Sequence, residues 1–264
     1  GGVDATNYKL ASTTGSTTAD ITRLSSVTWI GGTTGNWFDP ANWASTADQS
    51  ITGTVPDLSN VADVVIPDGV TVTFDNNATA PATPASTEAT AVNIDSLGTA
   101  GSLEQDAGFL NVGAGGITLD TLTQTGGTLT NTGATSVSTY SQTGGTFKGA
   151  SLTADSFAQS SGSTTLTSDL TVNADYSQTG DGTVTVGGNT SITDTKGSLT
   201  VGNLDTTGTT TLQATSGNIG QTKGTTLVSG GVTELSATTS ITLDQANDFN
   251  GAVNVSGATD VTLN

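Results

Sequence analysis

A short motif recurs five times through the middle of the chain: an apolar or aromatic residue two positions before a glutamine. The glutamines are separated by 19, 18, 17 and 19 residues, and they are Gln105, Gln124, Gln142, Gln159 and Gln178. Each is followed within a few residues by glycine and then by another short apolar segment. Self-similarity at a nearly fixed period is typical of repeat architectures. The repeat therefore predicts a stack of short, similar units rather than one globular core.

Strand signals fill each repeat. Segments such as 70–74, 182–186 and 240–243 alternate apolar residues with Thr or Ser and are bounded by Gly, Asn or Asp. A period of about 18 residues with two or three short strands matches one coil of a parallel β-helix, whose coils stack about 4.8 Å apart. Parallel crossovers are right-handed. We predict an all-β fold, a right-handed parallel β-helix (solenoid) with about nine coils over residues 100–264, or about 40 Å of rod.

The composition agrees with a thin, long core, because only 33% of residues are apolar and 5% are aromatic. The net charge of −18 repels nucleic acid and anionic lipid, which we exclude as partners. No apolar run is long enough to span a bilayer, so no membrane insertion is expected. The chain does not begin with Met, and we expect it to be a mature or excised piece of a longer protein.

Three sections are predicted along the chain. Residues 1–26 are polar and form an N-terminal arm or a degenerate first coil. Residues 27–90 form an irregular, tryptophan-rich capping section with short strands. Residues 91–264 form the regular parallel β-helix.

The five glutamines are expected to stack in one column. Their amides can hydrogen-bond from coil to coil as an internal or corner ladder, as stacked amides do in cross-β structures. A ligand-binding column is the alternative.

Trp29, Trp37 and Trp43 lie within one segment of the capping section. Exposed indoles would give a glycan contact, whereas buried indoles would seal the end or flank of the solenoid. Packing is the favoured interpretation, and the glycan contact is the alternative.

Asp57, Asp63 and Asp68 are weak candidates for a Ca²⁺ site, since calcium prefers carboxylate and carbonyl oxygens. Solvated turn aspartates are the favoured interpretation. We therefore expect no cofactor, with Ca²⁺ as the alternative.

The sequence favours a protein that is not an enzyme. There is no His and no Cys, which removes catalytic triads, thiolate nucleophiles and imidazole metal sites. A polysaccharide-acting β-helix enzyme is the remote alternative, because stacking can bring carboxylates such as Asp155, Asp169 and Asp175 together. Pairs such as Thr128/Thr130 and Thr183/Thr185 are similar to threonine arrays of ice-binding solenoids, but the varying period is expected to disturb their register.

The segment from Trp29 to Trp43, followed by 63–69, resembles a module of very large bacterial adhesins. The Gln-Thr-Gly-Gly-Thr repeats at 124–128 and 142–146, and the run 240–256, resemble the shafts of filamentous-haemagglutinin-like exoproteins. The resemblance implies two-partner or autotransporter-like secretion by a Gram-negative bacterium. It also implies a right-handed β-helix and a role in adhesion or the biofilm matrix. It implies no catalytic residues.

We therefore expect a non-catalytic structural or adhesive segment of a large secreted surface protein, located outside the cell. Its partners would be host or bacterial surface glycans or proteins. The alternative is a self-assembling protomer that stacks end to end with further copies of itself into a fibre, since a β-helix presents strand edges at its ends.

Overall fold

The computed structural model describes residues 23–57, 60–74, 92–98 and 100–264. In them the chain winds into a parallel β-helix of about nine turns, which confirms the predicted all-β solenoid. Apart from one 3-10 turn at Pro40–Asn42, the regular elements of this part of the chain are strands: β1 Leu24–Trp29, β2 Thr34–Asn36, β3 Trp43–Ser45, β4 Val61–Val65, β5 Thr71–Phe74, β6 Val92–Gly98, β7 Ser102–Gln105, β8 Phe109–Gln124, β9 Thr128–Gln142, β10 Thr146–Gln159, β11 Ser163–Leu166, β12 Leu170–Gln178, β13 Thr183–Val186, β14 Thr190–Asp194, β15 Leu199–Val201, β16 Asn203–Thr206, β17 Thr210–Ala214, β18 Ile219–Gln221, β19 Leu227–Ser229, β20 Thr233–Ala237, β21 Ser240–Leu243, β22 Asp248–Phe249, β23 Val253–Ser256 and β24 Asp260–Leu263. The described residues include no helix of the length and apolarity that a membrane crossing needs.

Each coil contributes strand segments to three parallel sheets, which we number in the order in which the chain visits them. In the coil formed by β9, residues 128–131 lie in sheet 1, residues 135–137 in sheet 2 and residues 139–142 in sheet 3. All three segments pair in parallel with β8 on one side and β10 on the other. Neighbouring strands of a sheet thus come from successive coils, and backbone hydrogen bonds run along the rod.

The core is narrow and continuous, and it extends from Val27 to Leu243. It forms because successive side chains of a strand point to opposite faces of a sheet. In β13, for example, Val184 and Val186 are buried while Thr183 and Thr185 are exposed. A low apolar content suffices for this arrangement, because every second residue of a short strand is enough to fill the interior.

One corner of the rod needs glycine. Gly108, Gly127, Gly145 and Gly162 follow the glutamine strands of successive coils, and all have positive φ. At Gly145 φ is 72°, and an added Cβ would lie 2.5 Å from the carbonyl oxygen of Gly126 in the preceding coil. Both the left-handed backbone and the close approach of the coils therefore exclude larger residues.

The predicted coil length of about 18 residues holds only for the central coils, and the overall spacing is about 20 residues. Ser163 pairs with Thr146, seventeen residues earlier, but Leu227 pairs with Leu204, twenty-three residues earlier. The additional residues lie in corners such as 222–226, between β18 and β19. The expectation that a varying period disturbs the ranks was wrong, because the corners absorb the variation and the strands stay in register.

The N-terminal section belongs to the same stack. β1 pairs in parallel with β4, and β4 with β6, while β3 lies antiparallel beside β1. The expected boundary between residues 26 and 27 falls inside β1, because pairing with β4 begins at Leu24. Residues 1–22 of the expected arm lie outside the described residues, as do residues 75–91 around the end of the expected capping section.

We predict that Gly145→Ala lowers the free energy of unfolding by at least about 2 kcal/mol, because alanine is strained at positive φ and its Cβ meets the next coil. The matched control is Gly197→Ala in another corner, where φ is not positive and a Cβ would meet nothing within 4 Å. The control should stay within about 0.5 kcal/mol of wild type. Urea denaturation followed by circular dichroism measures both variants, and equal losses would contradict the prediction.

Candidate functional site: the buried glutamine column

The structure brings the five repeat glutamines together in one column inside sheet 3. Each is at most 2% exposed. From Gln124 onward, the Nε2 of each glutamine donates to the Oε1 of the glutamine one coil earlier. The distances are 3.2 Å for Gln124 to Gln105, 3.0 Å for Gln142 to Gln124, 2.7 Å for Gln159 to Gln142 and 2.9 Å for Gln178 to Gln159. The column is a hydrogen-bonded amide ladder through five coils.

Each amide also fastens the main chain. The second N–H of each Nε2 donates to the carbonyl oxygen of a residue in the first strand segment of a later coil. These carbonyls belong to Thr128, Thr146, Ser163, Thr183 and Asn203, at distances of 3.0, 3.0, 3.1, 3.1 and 2.7 Å. An amide has two donors and one acceptor oxygen, so one side chain can bond forward, backward and to the backbone at once.

Both ends of the ladder are closed by other groups. Phe74 pairs in register with Gln105 and occupies the column one coil earlier. At the other end, the Oε1 of Gln178 accepts hydrogen bonds from the hydroxyl of Tyr176 at 2.9 Å and from the N–H of Gly202 at 3.0 Å. The side chains are buried and bonded, so the ladder offers no surface to a ligand.

An aromatic stack runs beside the ladder. The rings of Tyr140 and Phe157 are 5.0 Å apart with an interplanar angle of 23°, and those of Phe157 and Tyr176 are 5.0 Å apart at 12°. Burial raises the pKa of the Tyr140 phenol far above its usual range, and a hydrogen bond with Thr164 partly offsets this. Burial also raises the pKa of Tyr176. Both phenols therefore remain neutral hydrogen-bonding groups of the interior.

Sequence reasoning missed Asp194, a buried carboxylate at the corner between sheets 2 and 3. Its oxygens accept hydrogen bonds from the N–H groups of Lys196 at 3.0 Å, Gly197 at 2.8 Å and Tyr176 at 3.2 Å. The first two form a turn within the coil, and the third reaches the preceding coil. The turn sequence Asp-Thr-Lys-Gly at 194–197 is a local signal for this role.

Sequence reasoning also missed a pair of amide side chains, Gln221 and Asn247. Their side chains exchange two hydrogen bonds, of 2.7 and 3.0 Å. Asn247 also accepts from the N–H of Leu227. The pair repeats the chemistry of the ladder near the C-terminal coils.

The alternative of a glycan contact at Trp29, Trp37 and Trp43 was wrong. These indoles are only 4%, 0% and 0% exposed, and Trp43 packs edge-on against both of the others, with ring centroids 5.1 and 5.0 Å apart. A sugar needs an exposed indole face, and here the faces cover one another and the first part of the core. The three residues instead fill the interior next to β1 and β3.

The three aspartates considered for Ca²⁺ have separate contacts. An oxygen of Asp63 accepts from the hydroxyl of Ser96 at 2.8 Å, and an oxygen of Asp57 accepts from the N–H of Asn93 at 3.4 Å. Asp68 lies in the turn before β5. No group of three or more acidic side chains that would hold a metal occurs among the described residues, so Asp57, Asp63 and Asp68 are not brought together.

The carboxylates considered for catalysis also have structural neighbours. Asp169 accepts from the N–H of Asn189 in the next coil at 2.7 Å. Asp175 forms an ion pair with Lys196 at 3.7 Å, and Asp155 accepts from Asn173 at 3.4 Å. Each of these contacts joins residues in or beside different strand segments along the stack.

Comparisons with known proteins add one finding. Residues 187–256 match a family described as repeats of unknown function (DUF5649). The matched segment runs from the end of β13 to β23, so it spans about three coils of the rod. No curated protein and no solved structure matches the chain.

We predict that Gln142→Leu lowers the free energy of unfolding by about 2–3 kcal/mol, because the acceptor of Gln124 and a donor of Gln159 remain buried without their partner. The matched control is Gln213→Leu, at an exposed position of β17, which should change the stability by less than about 0.5 kcal/mol. Urea denaturation monitored by circular dichroism compares the two. A loss at residue 142 no larger than at residue 213 would mean that the ladder adds nothing to stability.

Proposed function

We propose that this chain is a non-catalytic shaft segment of a large bacterial surface protein, secreted by a Gram-negative cell and acting in adhesion or the biofilm matrix. One observation carries the proposal: the coils stack without interruption from Val92 to Leu263, and buried hydrogen bonds fasten successive coils to one another. Such a rod holds whatever it bears at a fixed distance. It fits a structural repeat protein better than a protein built around a pocket.

Three further features support a shaft outside the cell. The chain has no Cys, Met or His and 23 acidic against 5 basic residues, so it is resistant to oxidation and its charge opposes aggregation. Its outward side chains are mainly Thr, Ser, Asn and Asp, which suit a long solvated surface. The resemblance to filamentous-haemagglutinin-like exoproteins supports the same location and the adhesive role.

Three measurements test this function. An antibody against the rod should detect the protein on the surface or in the medium of the producing cells, and detection only inside the cells would overturn the proposed location. Beads coated with the protein should retain host or bacterial cells above the level of albumin-coated beads. Retention by neither cell type would remove the adhesive role, and hydrolysis of an extracellular polysaccharide by the purified protein would overturn the non-catalytic role.

A second candidate function is end-to-end association with further copies. In the last described coil Val255, Val261 and Leu263 are 41%, 46% and 38% exposed. The residues at the same positions one coil earlier, Leu235, Ile241 and Leu243, are at most 1% exposed. The strands of this coil pair on one side only within the described residues, and a second copy could pair with their other side. At the other end, β3 already covers part of the edge of β1, which restricts simple head-to-tail stacking.

We predict that, if copies associate through this end, negative-stain electron microscopy of the purified protein will show fibres or paired rods. Val261→Lys should return them to single short rods, because residue 261 lies in the column of the buried Ile241 and a second copy would bury the charge. Thr262→Lys, one position along β24 where side chains point to the opposite face, is the control and should change the assemblies less. Monodisperse rods in the wild type would exclude this candidate and leave the shaft.

A further inference from the structure

The interior of the C-terminal coils becomes polar at the corner between sheets 1 and 2. Leu170 of sheet 2 and Val186 of sheet 1 are the apolar residues at this place in the central part of the rod. One coil further on, Thr190 and Thr206 occupy the same register positions. After another coil the positions hold Thr210 and Ser229, and the next residue in the sheet 2 column is Thr233.

The first hydroxyl pair satisfies itself. The Oγ1 atoms of Thr190 and Thr206 are 2.7 Å apart, so one hydroxyl donates to the other. Both residues are at most 1% exposed. This pair shows that two buried hydroxyls can replace Leu170 and Val186 here without leaving a polar atom alone.

The hydroxyls of Thr210, Ser229 and Thr233 do not form such a pair. The side-chain oxygens of Thr210, Ser229 and Thr233 are buried, and in the described part of the chain none has a hydrogen-bond partner. All three residues are 0% exposed. Thr210 and Thr233 are register partners on neighbouring strands, so their backbones are about 4.8 Å apart. Ser229 occupies the same place relative to Thr210 as Thr206 does relative to Thr190.

The side chains at this corner are polar and small. Thr210 is smaller than Leu170, and Ser229 is smaller than Val186, so the corner loses side-chain volume as it gains hydroxyls. A buried hydroxyl without a partner is unfavourable, and such groups in folded proteins are normally bonded to protein or to an ordered water. A buried water typically makes about three hydrogen bonds, which matches the number of oxygens that lack partners.

We propose that Thr210, Ser229 and Thr233 form a binding site for one buried water molecule. The water completes the hydrogen bonds of three hydroxyls and joins strands β17, β19 and β20. It does at this corner what the direct bond between Thr190 and Thr206 does one coil earlier. The site lies inside the rod and does not depend on the proposed function.

The direction in which one substitution changes the melting temperature tests the site. Thr210→Val keeps the shape of the side chain and removes its hydroxyl, so the water loses a partner and the melting temperature should fall by about 3 °C. If the three hydroxyls have no water, valine removes an unsatisfied polar group and the melting temperature should stay the same or rise, which would overturn the proposal. Thr211→Val, one residue along β17 and pointing outward, is the control and should change the melting temperature by less than 1 °C.

A direct measurement keeps the proposal testable whatever the single variant does. A high-resolution crystal structure of the wild type should show one water within hydrogen-bond distance of all three oxygens, and an empty corner would overturn the site. The combination Thr210→Val, Ser229→Ala and Thr233→Val should lose this water and recover at least part of the stability lost by Thr210→Val. A triple variant less stable than the single one would also contradict the proposal. In the triple variant the three hydroxyls are gone, so losing the water should leave no buried polar group without a partner.

Discussion

The parallel pairing of one coil with the next is the constraint on which the rest of the structure depends. The strand segment that each coil contributes to a sheet is only a few residues long and gains little from its own coil, but its backbone groups bond to the coils before and after it. Stacking also buries the inward side chains, which a single coil would leave in contact with water. Any feature that keeps successive coils in register therefore stabilises the whole rod.

The glutamine ladder is such a feature, and its position explains the choice of residue. At the corner between sheet 3 and the following coil, main-chain carbonyl oxygens lie within hydrogen-bond distance of the glutamine amides. A glutamine supplies one donor to these carbonyls while its other groups bond to the glutamines above and below. Serine or threonine has only one donor, and an apolar residue has none. The glycines that follow let the chain turn closely enough for the ladder to form.

The interior changes character along the rod. Near β1 it is filled by tryptophan, in the centre by the ladder and the aromatic stack, and towards β20 by paired and unpaired hydroxyls. The outer faces are mainly polar over the same length, with single exposed apolar residues such as Phe109 and Val232. This contrast supports a shaft, since the residues that differ from coil to coil pack in the interior and do not form a localised chemical site. The match of residues 187–256 to a repeat family is consistent with it.

The sequence by itself determined the solenoid, because the alternation of Val, Leu and Ile with Thr and Ser and the recurrence of Gln and Gly are local patterns. It also placed Gln105 to Gln178 in one column, since equal positions in successive coils must stack. Only the tertiary structure decided what depends on neighbours distant in sequence: the burial of Trp37 and Trp43, the three backbone partners of Asp194, and the pairing of Leu24 with β4. The coil length belongs to this second group. Residues inserted in a corner leave the strand register unchanged, so the period of the sequence varies while the rod stays regular.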